Sequence, residues 1–362
     1  MLSSAAMSHV FVAPHPDDVA LSCGGLVASL RELGQSVTIL TVFSGGSSGG
    51  APSVSQREAL GFGTKTLWPN SQAFNRSNIA AEHPVPVAVG MRAPWQADPG
   101  RVAATQDRAN TQARQFWQRA AWTRSANVTN DEHDDRPLRD GVATQGTLAR
   151  YDLAVAEVTT MRKVEDERFA YFMEAALVDL GLPDAVHRGY EGDDALLGPP
   201  MDEDEPPTDI LRREILRLEP QQVYFPMAVG GHVDHRLCRD AALSLLADGE
   251  AWVMPAPSLA GSLSFYEDFP YAWWTGLSGP AALAEQAVDL PASFVLEARY
   301  ADISDQLERK LAGLRAYASQ VQRLFEDEQA MLDAVTGFAA LVAGAGSVGS
   351  GAAERYWSVV RT

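Results

Sequence analysis

Short apolar runs and helical stripes alternate along the first forty positions. His9–Ala13 (HVFVA) is a β-branched and aromatic run that predicts a strand, and Leu21, Leu26, Leu30 and Leu33 recur at helical spacing before Gly34. Val37–Phe43 (VTILTVF) is continuously apolar, as expected of a strand covered on both faces, so the opening residues predict a βαβ unit and with it a parallel sheet. A second regular block begins near Met161. There Phe169, Met173, Ala176, Leu177 and Leu180 fit one helical face, with Gly181 as its stop. Thr208 is a candidate cap for a helix through Leu218, Val223–Pro226 reads as a buried strand, and His232–Ala247 reads as the helix that follows it. Ser262–Glu267 reads as a strand, Ile303, Leu307, Leu311 and Leu314 as a helical stripe ending near Gln320, and Tyr356–Val360 as the last strand.

Between these blocks the pattern fades. Residues 61–160 are poor in Leu, Ile, Val and Phe, below the ~20% at which a segment becomes a candidate for disorder. They carry NVTNDEHDDRPLRD, whose Asp131–Asp135 stretch (DEHDD) reads as a solvated charged loop despite its metal-like composition. The expected organisation is therefore residues 1–60 as the first part of one domain, 61–160 as a disordered or peripheral insertion, and 161–362 as the remainder. Met201–Pro207 (MDEDEPP) and Gly344–Gly351 read as surface loops. The formal charge of −18 argues against a nucleic-acid surface, which draws its affinity from clustered Lys and Arg. Two cysteines, Cys23 and Cys238, are too few for a disulfide framework and suit a reducing cytoplasm. No export signal is read at the start, and no stretch approaches the ~18 apolar residues of a membrane span.

Candidate chemistry sits at two turns. Pro14-His15-Pro16-Asp17-Asp18 lies between the first strand and its helix, at the carboxyl end of a parallel strand, where open α/β sheets bind ligands. Two carboxylates and an imidazole there suit metal ligation with a spare acid/base group, or simple helix capping. Gly230-Gly231-His232-Val233-Asp234-His235 also follows a strand and opens a helix, with His232 and His235 on one helical face. Equivalent topological positions point both turns at one shared site.

Pro14–Asp18 followed by Leu21-Ser22-Cys23-Gly24-Gly25 resembles the HPDD signature of the PIG-L/LmbE-like family of zinc-dependent N-deacetylases, and His232–His235 resembles that family's distal HxxH motif. Weaker similarity follows in family order through Arg162–Ala170, Gly189-Tyr190 with Asp193 or Asp194, Phe265–Tyr271, Lys310 with Tyr317–Gln320, and Glu354–Trp357; residues 61–160 have no counterpart. The resemblance implies a Rossmann-like three-layer α/β fold with a mostly parallel sheet. It implies zinc held by His15, Asp18 and His235, with Asp17 as general base and then acid, His232 stabilising the oxyanion, and Arg162 and Asp194 contacting substrate. Three protein ligands would leave a fourth position open, as at catalytic zinc; two His and one carboxylate also accept Fe2+ or another divalent ion. The expected substrate is a small-molecule N-acetyl or other N-acyl amino-sugar conjugate, with no nucleic-acid or membrane partner and with an oligomer compatible.

Several assignments stay open at this level. Asp234 reads equally as a partner that orients a histidine and as a helix cap. Arg162 reads as a substrate contact or as an ion-pair partner of Glu165 and Asp166, and Trp273-Trp274 as buried packing or as a sugar-stacking platform. Some sugar deacetylases of the family place an acidic residue just after the second strand, where this chain has Ser44-Gly45-Gly46-Ser47. Two alternatives remain: an amidase cleaving a larger N-acyl or thiol-conjugate amide, and a noncatalytic nucleotide-binding module. The latter is weakened by the absence of G-x-G-x-x-G at the first turn.

Overall fold

The structure is a computed structural model that describes residues 7–46, 145–247, 263–348 and 351–362. The opening unit forms as the pattern predicts: strand β1 (Ser8–Ala13), helix α1 (Asp18–Glu32) and strand β2 (Ser36–Gly45), with β1 and β2 parallel. Strand β3 (Ala176–Pro183) joins the other side of β2 in parallel, and β4 (Gln222–Pro226) joins the free side of β1, again in parallel. Strands β5 (Leu263–Tyr266), β6 (Phe294–Asp302) and β7 (Ala353–Arg361) complete a seven-stranded sheet of order β3-β2-β1-β4-β5-β7-β6, in which β7 runs antiparallel to both neighbours.

Alternation along β1 sorts side chains to two faces, which is why the sheet is covered twice. Val10 and Val12 pack with Leu40 and Val42 against helices α4 (Thr208–Leu218) and α5 (Val233–Ala247), through Leu211, Ile215, Leu237 and Leu245. Phe11 and Ile39 face α1 and α2 (Gln145–Met173), with Leu26, Phe169 and Met173. The three-layer α/β expectation therefore holds. The short helices α3 (Asp193–Leu196), α6 (Tyr271–Thr275) and α7 (Gly279–Glu285) and the longer α8 (Leu307–Leu314), α9 (Ala318–Leu324) and α10 (Glu328–Gly346) fill the rest of the described chain.

Several expectations change. Ala176, Leu177 and Leu180 belong to β3, not to the helix of Phe169 and Met173: Glu174 adopts φ 58°, which ends α2 before the apolar run can continue it. Helix α2 starts at Gln145, so residues 145–160 join the block expected from Met161; residues 61–144, with Asp131–Asp135, lie outside the described residues. Pro207 occupies the cap position of α4 and Thr208 is already helical. The stripe from Ile303 divides into α8 and α9 around Tyr317. Met201–Pro207 is a loop, yet Asp204 within it accepts bonds from Arg188 Nε (3.1 and 3.0 Å) and the Tyr190 hydroxyl (2.8 Å). Gly344–Gly346 close α10 rather than opening a loop, and α10 is, among the described residues, the helix long and apolar enough by composition to cross a membrane. One face of it, with Met331, Val335 and Val342, is buried in the core.

Helix α1 is held by a buried ion pair. Glu354 on β7 accepts from the backbone N–H of Gly25 (2.9 Å) and Leu26 (2.7 Å), while Lys310 Nζ on α8 donates to Glu354 (2.8 Å) and to the Leu21 carbonyl (2.7 Å). A Cβ on Gly25 would lie 2.7 Å from Ile303, so the close approach requires glycine. Removing one partner leaves the other charge buried and uncompensated. Glu354→Gln should therefore lower stability by about 3–5 kcal/mol in denaturant titration; a loss below ~1 kcal/mol would show the pair to be energetically idle.

Candidate metal centre

Strand order reverses between β1 and β4, and at such a switch point the loops leaving the two strands part and open a crevice. Both sequence motifs end there. Asp17 adopts φ 97° at the cap position of α1 and makes no side-chain capping bond, so the strained turn aims its carboxyl elsewhere and the capping reading fails for it. After β4 the chain turns through Ala228 (φ 63°), Gly230 (φ 82°) and Gly231 (φ 79°). A Cβ on Gly230 would stand 2.5 Å from Tyr271, so the turn that delivers His232 and His235 depends on a bare backbone.

Three donor atoms converge. Asp18 Oδ2 lies 3.3 Å from His15 Nδ1 and 3.4 Å from His235 Nε2, and its position is fixed by the His15 backbone N–H at 2.7 Å. Around a tetrahedral ion with metal–ligand distances of about 2.0–2.2 Å, neighbouring donors lie about 3.3–3.6 Å apart. The two spacings from Asp18 match such edges. His232 adds a third imidazole: one ring nitrogen from each of His15, His232 and His235 lies within 4.8 Å of the others.

Each ligand-type histidine has its far nitrogen tied to a buried carboxylate. His15 Nε2 meets Asp234 Oδ2 at 2.8 Å, and His235 Nδ1 meets Asp268 Oδ1 at 2.6 Å. Those bonds place the hydrogens on the outer nitrogens, leaving His15 Nδ1 and His235 Nε2 with lone pairs for a cation. Asp234 thus orients a histidine rather than capping its helix. It is itself held by the Ala185 N–H (3.0 Å) and Arg188 (2.6 Å), and Asp268 by the Val229 N–H (2.9 Å). Asp268→Asn should keep the fold and lower metal affinity about 10–100-fold, read by competition against a chelating dye; unchanged affinity would exclude the orienting role.

The charges are arranged unequally on the two adjacent carboxylates. Burial and the neighbouring Asp18 push Asp17 up to about 7, against the pull of Arg162 and His15. For Asp18, burial is outweighed by His235 and His15, which bring it down to about 2. One is thus poised for proton exchange and the other stays an anion. Burial, with His15 and His235 nearby, pushes the His232 imidazole down to about 3. Its Nδ1 accepts the Asp234 N–H (3.3 Å), so the hydrogen of the neutral ring is on Nε2.

A cleft of about 260 Å³ opens at the first turn, lined by Pro16, Ser44, Val158, Arg162, Asp184, Val186, His187 and Arg323. Arg162 is a cleft residue that pairs with Asp184 (3.0 Å), while of its helix neighbours Glu165 receives Ser319 and Asp166 receives Thr41 and Tyr317. Asp194 is exposed in the first turn of α3 and is not among the cleft-lining residues. Trp273 and Trp274 are buried, as packing requires. Ser44, next to last in β2, donates to Asp179. Asp268, Asp184 and Arg188 escaped the sequence reading; an acidic residue inside the apolar FYEDFPY run was the available signal for Asp268.

The family model of the GlcNAc-PI de-N-acetylases matches residues 10–66, which include the first turn and its Asp17 and Asp18. A search among curated proteins returns no significant match. Among solved structures, a triple mutant of a deacetylase from the teicoplanin biosynthetic pathway is 21% identical, with TM-score 0.52, covering 98% of both chains. A zinc-inhibited form of teicoplanin deacetylase is 20% identical, with TM-score 0.53, again covering 98% of both. A deacetylase of the A40926 pseudoaglycone is 17% identical, with TM-score 0.51, covering 99% of this chain and 98% of that one. At these identities the likeness is one of fold. Local motif and overall fold together bear out the resemblance of this chain to the PIG-L/LmbE-like deacetylases.

Proposed function

We propose that the protein is a metal-dependent N-deacetylase that hydrolyses the N-acetyl group of an amino-sugar conjugate, giving acetate and a free amine. The observation that carries this reading is Asp18 Oδ2 standing 3.3 and 3.4 Å from the His15 and His235 ring nitrogens, beside a second, raised carboxyl at Asp17. Zinc held by His15, Asp18 and His235 would supply Lewis-acid chemistry at the acyl group. Asp17 takes a proton from the attacking water and returns it to the leaving nitrogen as the C–N bond breaks. His232, neutral and carrying its hydrogen on Nε2, donates to the oxygen that gains charge at the acyl carbon. Arg162 lines the cleft and positions polar groups of the substrate. A phosphate-binding role for the first turn is opposed by charge, since Asp17 and Asp18 would face any phosphate at the α1 N-terminus.

Activity should follow the Asp17 carboxylate. Below its pKa, kcat/KM should fall about tenfold per pH unit as the base is protonated, and a bound cation, by favouring the anion, sets that limb at or below pH 7. A pH profile of wild type and Asp17→Asn checks this: the limb belongs to wild type only, and its persistence in the variant would assign it to another group. The function itself is tested by incubating zinc-loaded protein with a panel of N-acetylglucosamine conjugates. Acetate and amine should appear in equal amounts and cease on chelation. Zinc-loaded protein that releases no acetate from any of them would contradict the reading.

A further inference from the structure

The sheet carries a second cavity, of about 370 Å³, at the opposite strand ends from the metal centre. It is lined by His9 of β1, Gln222 and Tyr224 of β4, Tyr356, Ser358 and Val360 of β7, Arg299 of β6, and Leu26 and Leu30 of α1. His9 and His15 are six residues apart along an extended strand, so the two sites are separated by on the order of 15–20 Å. The sheet face under α1 is apolar at Phe11, yet here it turns polar. A covered sheet face is normally apolar, and a buried polar group without a partner calls for an explanation.

His9 is that group. It is 5% exposed, and its Nε2 is buried with no hydrogen-bond partner. The Tyr224 hydroxyl lies 3.5 Å from Nδ1; when it donates there, the ring hydrogen is on Nε2. Burial holds the imidazole neutral, down to about 4. In that tautomer the ring offers the cavity floor a donor. The rings of His9 and Tyr224 stack at 6.1 Å, and Tyr224 meets Tyr356 edge-on at 5.4 Å, continuing the polar row toward Arg299 at the rim. Arg299 pairs with Glu297, and both side chains are about half exposed. Such a pair is weak, so the guanidinium is free to exchange partners. Leu26, Leu30 and Val360 supply the apolar wall, and the volume falls within the range of small-molecule sites, about 300–1,000 Å³.

We propose that this cavity binds a small amphipathic carboxylate, whose oxygens accept from His9 Nε2, Tyr356 and Arg299 while its hydrocarbon end packs on Leu26, Leu30 and Val360. Donors dominate the polar lining, a single cation stands at the rim, and the remaining wall is apolar; together they select one anionic, acceptor-rich end and one apolar end. The site makes no use of the metal or of the proposed hydrolysis.

Hexanoate, titrated calorimetrically into the full-length zinc-loaded protein, tests this. Saturable binding is expected, weakened at least about tenfold by Arg299→Gln and by His9→Phe, and retained by His235→Ala, which disrupts the metal centre. Arg299 is exposed, so its variant reads the site even where His9→Phe disturbs folding. Three results would each overturn the proposal: no saturation up to about 10 mM, affinity unchanged in Arg299→Gln, or binding lost in His235→Ala, which would put the carboxylate on the metal.

Discussion

Asp17→Asn should retain its zinc while turnover falls by about 10²–10⁴-fold. The two effects separate because the turn separates the two carboxylates. Asp18 is held by the His15 N–H and faces both histidines, whereas Asp17 makes no capping bond and lies within the electrostatic reach of Asp18 and Arg162. Asparagine preserves size and the local turn but cannot accept a proton, so the loss appears in kcat at full metal occupancy. Metal analysis of the same preparation used for kinetics makes the comparison clean. Near-normal turnover with zinc bound would remove Asp17 from the chemistry and make Asp234 or His232 the next candidate.

His235→Ala and Asp18→Asn should fail in the opposite way, by losing the metal. His235→Ala removes a donor and also strands Asp268, a buried carboxylate whose partners are His235 and the Val229 N–H. Asp18→Asn removes the anionic donor that lies 3.3 and 3.4 Å from the two imidazoles. Each should lower zinc affinity beyond the roughly 10–100-fold expected for Asp268→Asn, because a ligand itself is lost rather than the group that orients it. Activity should then recover in part at high zinc. Variants that bind zinc as tightly as wild type would show that the ion is held elsewhere.

The parts of this account that were legible in the sequence are those carried by neighbours in the chain. The HVFVA run, the leucine stripe of α1 and the VTILTVF run fixed a βαβ unit by local periodicity, and the HPDD turn lay within it. His232 and His235 were legible as a pair because three residues bring them to one face of a helix. Roles that depend on distant partners were not. Asp234 could be read as a cap until the fold set it against His15, 219 positions away, and Asp268 had no visible partner until β5 delivered it to His235. Arg162 reads as a substrate contact or as an ion-pair partner on its own helix, and packing turns it toward Asp184. Ala176–Leu180 fits both a helical face and a buried strand, and only the left-handed Glu174 decides between them. Strand β6 went unread because its alternation is that of a half-exposed edge, with Glu297 and Arg299 on the outer face.

Crystals grown with zinc and measured on both sides of the zinc absorption edge will show whether His15, Asp18 and His235 hold the metal. An anomalous peak is expected about 2.0–2.2 Å from His15 Nδ1, Asp18 Oδ2 and His235 Nε2, with His232 outside that distance. A peak bound by His15, His232 and His235 without Asp18, or one on the Asp184–Asp234 side of His15, would contradict it.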